Sequence, residues 1–191
     1  MYRQIYDYAF SNIESYQVTD GINYNEHKPA LVFVMEWLKN NPIRTVMDVG
    51  SGRGLVLRMI QRDFPSIGIT AVDLNDYANL DFARFIKADL SLESDRGKLC
   101  SESCDLITCL DVLEHLEKEL IDPVLQLFAG VSENAILSIA NHSDKVGGLE
   151  LHLIQEDDEY WTDMISKWFD VERLGFNPSK TLMLYKCRRK K

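Results

Sequence analysis

The run Val46-Met47-Asp48-Val49-Gly50-Ser51-Gly52-Arg53-Gly54 sets three glycines at alternate positions directly after an apolar, strand-like segment. Glycine permits a sharp turn with positive φ and lets a ligand approach the backbone without a Cβ in the way. Nineteen residues beyond Gly54, Asp73 closes the next strand-like segment, Ile67 to Val72. A carboxylate at that point suits the paired hydroxyls of a ribose. The glycine turn and Asp73 together read as a nucleoside-cofactor site. The dinucleotide fingerprint wants its third glycine three places after the second, and Leu55 stands there. Asp48, two residues before the first glycine, would also repel a pyrophosphate, whereas a ligand carrying an ammonium group removes that objection. Both points disfavour a nicotinamide dehydrogenase.

Further along, Asp111 and His115 are four residues apart and would share a face if their segment is helical. Pairing would fix the imidazole tautomer, either for a general base or for a structural contact beneath a cofactor. Asn141-His142-Ser143-Asp144 follows an apolar segment and offers four polar side chains. His142 is the candidate base there, with Ser143 or Asp144 orienting a substrate; the competing reading is a polar turn that caps its own backbone. In Glu150-Leu151-His152-Leu153-Ile154 the alternation leaves His152 facing a pocket or on an exposed strand face, the second being favoured. No metal is expected. Cys100, Cys104 and Cys109 miss the C-x-x-x-C-x-x-C spacing of a radical iron–sulfur site, because Ile107 occupies the required position. They also lack the paired spacing of a zinc site. The Glu156-Asp157-Asp158-Glu159 run reads as a helix start.

These residues need a scaffold, and the periodicity supplies one by alternating strand and helix. Tyr2 to Tyr16 reads as a loosely amphipathic helix, and Ala30 to Leu38 as a buried helix with Pro29 in its first turn. Strands are expected at Thr45 to Val49, Ile67 to Val72, Ala83 to Ala88, Asp105 to Leu110 and Ala135 to Ala140. Helices fall at about Leu55 to Phe64, from Asp111 to about Phe128 with a kink or restart at Pro123, and at Asp157 to Trp168. Phe169 to Leu174 and Thr181 to Cys187 close the chain as a hairpin. Five strands separated by helices and then a hairpin argue for a parallel, doubly wound sheet with one antiparallel strand. Ligands bind such sheets at the carboxyl ends of the strands.

At 191 residues the chain suits a single domain, and 46% hydrophobic with 27% charged residues is a globular balance. The formal net charge of −9 argues against a nucleic-acid partner. No apolar run is long enough to span a bilayer, and the four cysteines are expected as reduced thiols in the cytoplasm. Residues 186–191 form a basic tail, read as a solvated terminus that keeps the last strand from pairing with other chains. Segments 1–28 and 141–155 lie outside the repeating pattern and are expected to form a lid and an acceptor-site loop.

In this order the residues resemble the class I S-adenosylmethionine-dependent methyltransferases. Asp48 to Gly54 fits their acid-x-Gly-x-Gly-x-Gly motif at every fixed position. Their ribose acid falls on Asp73, and their adenine-contacting acid on Asp89 in Phe85-Ile86-Lys87-Ala88-Asp89-Leu90. Cys104 to His115 looks like the fourth-strand signature of many small-molecule members. The resemblance spans about residues 28 to 187. It implies a Rossmann-like α/β/α sandwich with a seven-strand, mostly parallel sheet and one antiparallel strand in the C-terminal hairpin. It also implies S-adenosylmethionine held by Asp48, Gly50, Ser51, Gly52, Gly54, Asp73, Leu74, Asp89, Leu90 and Leu110, with S-adenosylhomocysteine as product. Asp111 would lie beside the methionine part of the cofactor. The acceptor would be a small molecule met by Asn141, His142, Ser143, Asp144 and Tyr24, with His142, His115 and Asp111 managing its proton. Tyr24, Asn25 and His27 equally suit a surface loop. Nucleic-acid amino-methyltransferases carry an Asn/Asp-Pro-Pro-aromatic motif where Leu110-Asp111-Val112-Leu113 stands here. The Asn-His-Ser-Asp run and the Glu-Leu-His after it look like small bacterial enzymes acting on sugar or other metabolite precursors. The alternative function is a non-catalytic, methyltransferase-like subunit that binds the cofactor and acts through a partner protein. A protein partner or a homodimer is compatible with either reading.

Overall fold

Three largely apolar segments become the buried centre of one sheet: β1 (Thr45–Val49), β4 (Leu106–Leu110) and β5 (Asn134–Ala140). Burial on both faces is what parallel strands covered by helices require. They belong to a computed structural model that describes residues 24–176 and 181–191, with residues 4, 5, 8, 11 and 12 of the amino-terminal stretch. The side chains of 24–28 and 176, the other residues up to 23, on which most of the helix expected at Tyr2 to Tyr16 falls, and residues 177–180 lie outside that description. With β2 (Gly68–Asp73), β3 (Arg84–Lys87), β8 (Phe169–Phe176) and β9 (Leu182–Arg189), the sheet has seven strands in the order β3-β2-β1-β4-β5-β9-β8. The first five are mutually parallel, and β9 runs antiparallel to both of its neighbours. The order reverses between β1 and β4, which makes their carboxyl ends the topological switch point.

Successive strand residues face opposite sides of the sheet, so the two helical layers draw on alternate positions. On one face α1 (Tyr24–Asn40) and α2 (Leu55–Asp63) set Leu31, Val34, Leu57 and Ile60 against Val46, Leu106 and Ile136. On the other, α4 (Lys118–Val131) and α5 (Asp158–Ser166) set Ile121, Phe128, Trp161 and Ile165 against Met47, Ile107 and Leu137. Helix α3 (Glu93–Leu99) contributes Leu99 to that second core. The result is the expected α/β/α sandwich. Asp157 caps α5 by accepting the Tyr160 N–H at 2.9 Å, so the acidic run does begin a helix. No described helix is long and apolar enough to cross a membrane.

Several local expectations need correction. The stretch after β4 is divided before Pro123: a 3-10 turn at Leu113–His115 ends at Leu116, and α4 then runs through Pro123, its sixth residue. So close to the helix start, the missing N–H forfeits only the bond to the Glu119 carbonyl. Pro29 likewise stands sixth in α1. The segment expected as a loop at 141–155 contains a hairpin, β6 (Lys145–Val146) and β7 (Leu149–Glu150). Gly147 and Gly148, with φ of +59° and +82°, supply the left-handed pair that a two-residue hairpin turn demands. The basic tail does not guard an edge. Lys186 to Arg189 lie in β9, an internal strand, where Lys186 pairs with Glu172 of β8 and Arg189 with Glu133.

Two contacts decide how β1 enters and leaves the sheet. At its entrance Asp105 Oδ2 accepts the N–H groups of Arg44 and Thr45 at 2.8 and 3.0 Å and the Thr45 hydroxyl at 3.2 Å. The Arg44 N–H, ahead of the Thr45 donors, holds this carboxyl below its ordinary range. At the exit Gly50 has φ of +78°, and a Cβ added there would lie 2.2 Å from Val112 Cγ2.

Asp105→Ala is therefore expected to lower unfolding free energy by about 1–3 kcal/mol at neutral pH in urea titrations. The native carboxyl is depressed, so its contribution is full above the ordinary carboxylate pKa of about 4 and fades as pH falls through the native value. The gap between wild type and variant should narrow on acidification, and a constant gap would refute this account. Gly50→Ala should be destabilising by about 2–5 kcal/mol, combining left-handed strain of about 1–2 with overlap of about 1–3. Adding Val112→Ala should restore only the overlap part; full recovery would show that the backbone is not strained.

Candidate functional site

The glycine turn is held between β1, β2 and α2. As β1 ends, the N–H groups of Gly50 and Ser51 both donate to the Val72 carbonyl, at 2.8 and 3.1 Å. The chain then turns through left-handed Gly50, Gly52 and Gly54, and Gly54 is the N-cap of α2. Asp73, the last residue of β2, clamps this turn: Oδ2 accepts the Gly52 N–H at 2.8 Å and Oδ1 accepts the Leu74 N–H at 2.6 Å. Asp48 is buried, with Oδ1 accepting the Thr108 hydroxyl at 2.6 Å, so β1 and β4 are joined by side chains as well as backbone. The glycines do not serve the purpose first expected at every position. At Gly50 the space is taken by Val112, and at Gly54 by Leu80, 2.8 Å from a would-be Cβ. Close approach at those two positions is by the protein's own loops.

Ser51, Leu90 and Leu110 are buried, and Leu74 and Asp89 are half-buried. Asp89 Oδ1 accepts both the N–H and the hydroxyl of Ser91, at 2.9 and 2.6 Å, so this carboxylate caps its own turn. All of these residues lie at the carboxyl edge of β1 to β4. Tyr24 is the first residue of α1, and its side chain lies outside the described residues.

A second group gathers beyond β4 and β5. Asp111 adopts φ of +64° and donates its N–H to the Ser138 carbonyl at 2.9 Å. That left-handed residue ends the possibility of an α-helical Asp111–His115 face, and the chain instead makes the 3-10 turn. The Asp111 charge still acts on His115. Glu114, which the sequence reading passed over, is fully buried, and its Oε1 accepts the Ala140 N–H at the end of β5. Burial first, and then the adjoining Asp111 carboxyl, pushes Glu114 well above the ordinary carboxylate range. His115 is half-buried, with Nδ1 at 3.0 Å from the Leu151 carbonyl; desolvation outweighs the Asp111 charge and pushes its pKa down to about 4.

His142 is exposed, and its Nδ1 lies 3.1 Å from the Ser143 carbonyl. The Ser143 hydroxyl donates to Glu150 at 2.5 Å, and the Asp144 N–H donates to the same carboxylate at 2.8 Å. These bonds, the Ser143 hydroxyl foremost, hold Glu150 down at about 2. Asn141 donates its N–H to the Thr181 carbonyl at 2.9 Å. His152 is not on an exposed strand face. It is 3% exposed, with Nδ1 at 2.6 Å from the His142 carbonyl. Its ring centroid is 4.6 Å from that of His115 and 4.9 Å from that of His142. Short-range alternation misassigned His152 because the β6–β7 hairpin folds the segment back. The signal was the Gly147-Gly148 pair. Elsewhere, a groove of about 480 Å3 opens at the opposite, amino ends of the strands, lined by Trp37, Ile43, Asp105, Asn134 and Arg189. It contains none of the residues above.

The family described as a methyltransferase domain matches residues 23–179. No match is found among curated proteins. The structure of a DhpI–SAH complex superposes with a TM-score of 0.68 at 14% identity, covering 98% of this chain and 93% of that one. N-methyltransferase NodS from Bradyrhizobium japonicum WM9, in complex with S-adenosylhomocysteine, gives 0.67 at 14% identity, covering 99% and 98%. An O-methyltransferase family protein from Burkholderia thailandensis gives 0.66 at 14% identity; 86% of this chain is covered, but only 56% of that one, so the chain spans little more than half its length. At such identities the superpositions speak for the fold, and it is the family match over most of the sequence that settles descent: the chain belongs to the methyltransferase-domain family.

Proposed function

We propose that this domain transfers a methyl group from S-adenosylmethionine to an oxygen or nitrogen of a small-molecule acceptor. The observation that carries the reading is Asp73, a carboxylate at the carboxyl end of β2 hydrogen-bonded to the glycine turn beside the switch point. A carboxylate offers about four acceptor positions, a number that suits two backbone donors together with a ribose diol. The backbone-fixed turn and buried Asp48 fit a ligand with positive charge better than a pyrophosphate. Structural neighbours solved with S-adenosylhomocysteine support the same cofactor. Gly50 to Gly54, Asp73, Leu74, Asp89, Leu90 and Leu110 would hold it, and Asp111 stands on the acceptor side. When bound, the cofactor supplies a methyl group activated by a cationic sulfur.

The chain's own contribution is to align the acceptor and manage its proton. Nδ1 of His142 faces a carbonyl and so carries the hydrogen, which leaves Nε2 as a proton acceptor at the exposed end of β5. His115, with a pKa near 4, is too weak a base to compete for that role at neutral pH. Asn141, Ser143 and Asp144 then shape the acceptor's surroundings. An acidic chain supports a small acceptor over nucleic acid, and four unpaired cysteines suit a reducing, cytoplasmic setting.

Calorimetric titration with S-adenosylhomocysteine and separately with NADH tests the cofactor. The first should bind and the second should not; binding of NADH alone would overturn the reading. Hydrogen bonds to a charged group contribute roughly 1.5–3 kcal/mol, so Asp73→Ala should weaken S-adenosylhomocysteine on the order of 10- to 150-fold. Unchanged affinity would remove Asp73 from the site.

A further inference from the structure

Asp111, Glu114 and His152 come from three separate positions: the left-handed residue after β4, the 3-10 turn, and the segment after β7. Each offers one ligating atom such that all three atoms lie within 4.8 Å of one another. Glu114 and His152 are at least 97% buried, being 0% and 3% exposed. The segment carrying His152 is fastened to the turn by the Ile154 N–H, which donates to the Glu114 carbonyl at 3.1 Å. This convergence is set by backbone and is not a chance meeting of long surface side chains.

The hydrogen bonding around the cluster has the form that metal ligands require. A carbonyl can only accept, so Nδ1 of His152, at 2.6 Å from the His142 carbonyl, carries the hydrogen and Nε2 carries the lone pair. The same holds for His115 against the Leu151 carbonyl, and its ring lies 4.6 Å from that of His152. Orienting a ligating imidazole by a second hydrogen bond from its other nitrogen to a backbone carbonyl is the usual outer-shell arrangement at metal sites. Glu114 is held in the same way. Oε1 accepts the Ala140 N–H, while Oε2 is buried, meets no ordinary donor among the described residues, and has the Asp111 carboxyl as its neighbour. Two carboxyl groups and the His152 lone pair thus converge in one corner of the fold, where a positive ion would satisfy the buried Oε2 of Glu114.

We propose that Asp111, Glu114 and His152, with His115 beside them, form a binding site for one divalent transition-metal ion of the Zn2+, Co2+ or Mn2+ type. The mixed carboxylate and imidazole donors, with no thiolate, favour these ions over Mg2+ or Ca2+, which prefer oxygen throughout. The site lies at the carboxyl edge of β4 and β5, with the His142 ring 4.9 Å from that of His152. It does not depend on the methyl-transfer reading, and it departs from the expectation that no metal is needed.

The test uses the full chain, freed of metal by chelation and titrated with Co2+ by visible absorption and with Zn2+ by calorimetry. One ion per chain is expected, with Mg2+ unable to displace it at equal concentration. His152→Ala and the isosteric Asp111→Asn should each weaken Co2+ and Zn2+ by more than the roughly 10- to 100-fold that even outer-shell partners are worth. Glu114 is left intact because it also holds the end of β5. Circular dichroism of the metal-free variants establishes that they are folded, and Asp111→Asn serves if His152→Ala is not. Absence of Co2+ and Zn2+ binding by the wild type overturns the proposal. Binding of equal strength in a folded variant places the ion elsewhere and also overturns it. Titration with S-adenosylhomocysteine in the absence of metal reads the cofactor site separately, so either site can fail without the other.

Discussion

Glu114 ties together three parts of the chain that would otherwise be independent. Its side chain accepts the last N–H of β5, and its backbone carbonyl accepts the Ile154 N–H. Its own position depends on the 3-10 turn, which in turn depends on the left-handed Asp111. A carboxyl group with no exposure is expensive to bury unless its oxygens are satisfied. Here backbone satisfies only Oε1, and that bond together with the backbone carbonyl makes Glu114 a joint between β4, β5 and the segment beyond the β6–β7 hairpin. His115 and His152 inherit their places from that joint.

The glycine turn is organised on the same principle, with Asp73 as its joint. Its two oxygens hold the glycine turn and the chain leaving β2, so the turn is pre-formed by protein contacts. Val112 and Leu80 press on that turn from the loops after β4 and β2, and a Cβ at Gly50 or Gly54 would force them to shift. Val112 lies between Asp111 and the 3-10 turn, so a single short segment packs on the glycine turn and carries the Asp111 and Glu114 carboxyls. The two groups are therefore mechanically continuous.

Much of the scaffold was legible because its signals are local. Short, mostly apolar segments marked β1, β4 and β5, amphipathic periodicity marked α2 and α5, and Asp157 marked the start of α5. The placement of Asp73 followed from its distance to the glycines. The hairpin at 145–150 was missed although its Gly-Gly turn was in plain view, because two-residue strands carry almost no periodicity. The role of the basic tail was misjudged for a different reason. Whether the last strand is an edge is a property of the strand order, and β8 rather than β9 takes the edge.

The layer order and the geometry of the glycine turn could be read from the sequence: both rest on contacts between residues close along the chain, where steric rules and periodicity leave few choices. The group beyond β4 and β5 was settled only by long-range packing. Asp111, Glu114 and His115 lie within five residues of one another, but His152 stands 37 positions beyond His115, brought back by the hairpin. Spacing along the chain implied a helical Asp–His pair; the left-handed Asp111 abolished it, and burial replaced it with a cluster of carboxyl and imidazole groups. The physical reason is that burial and hydrogen-bond satisfaction are collective. A histidine on an alternating segment is exposed or buried according to what folds over it, and that is not written in its neighbours.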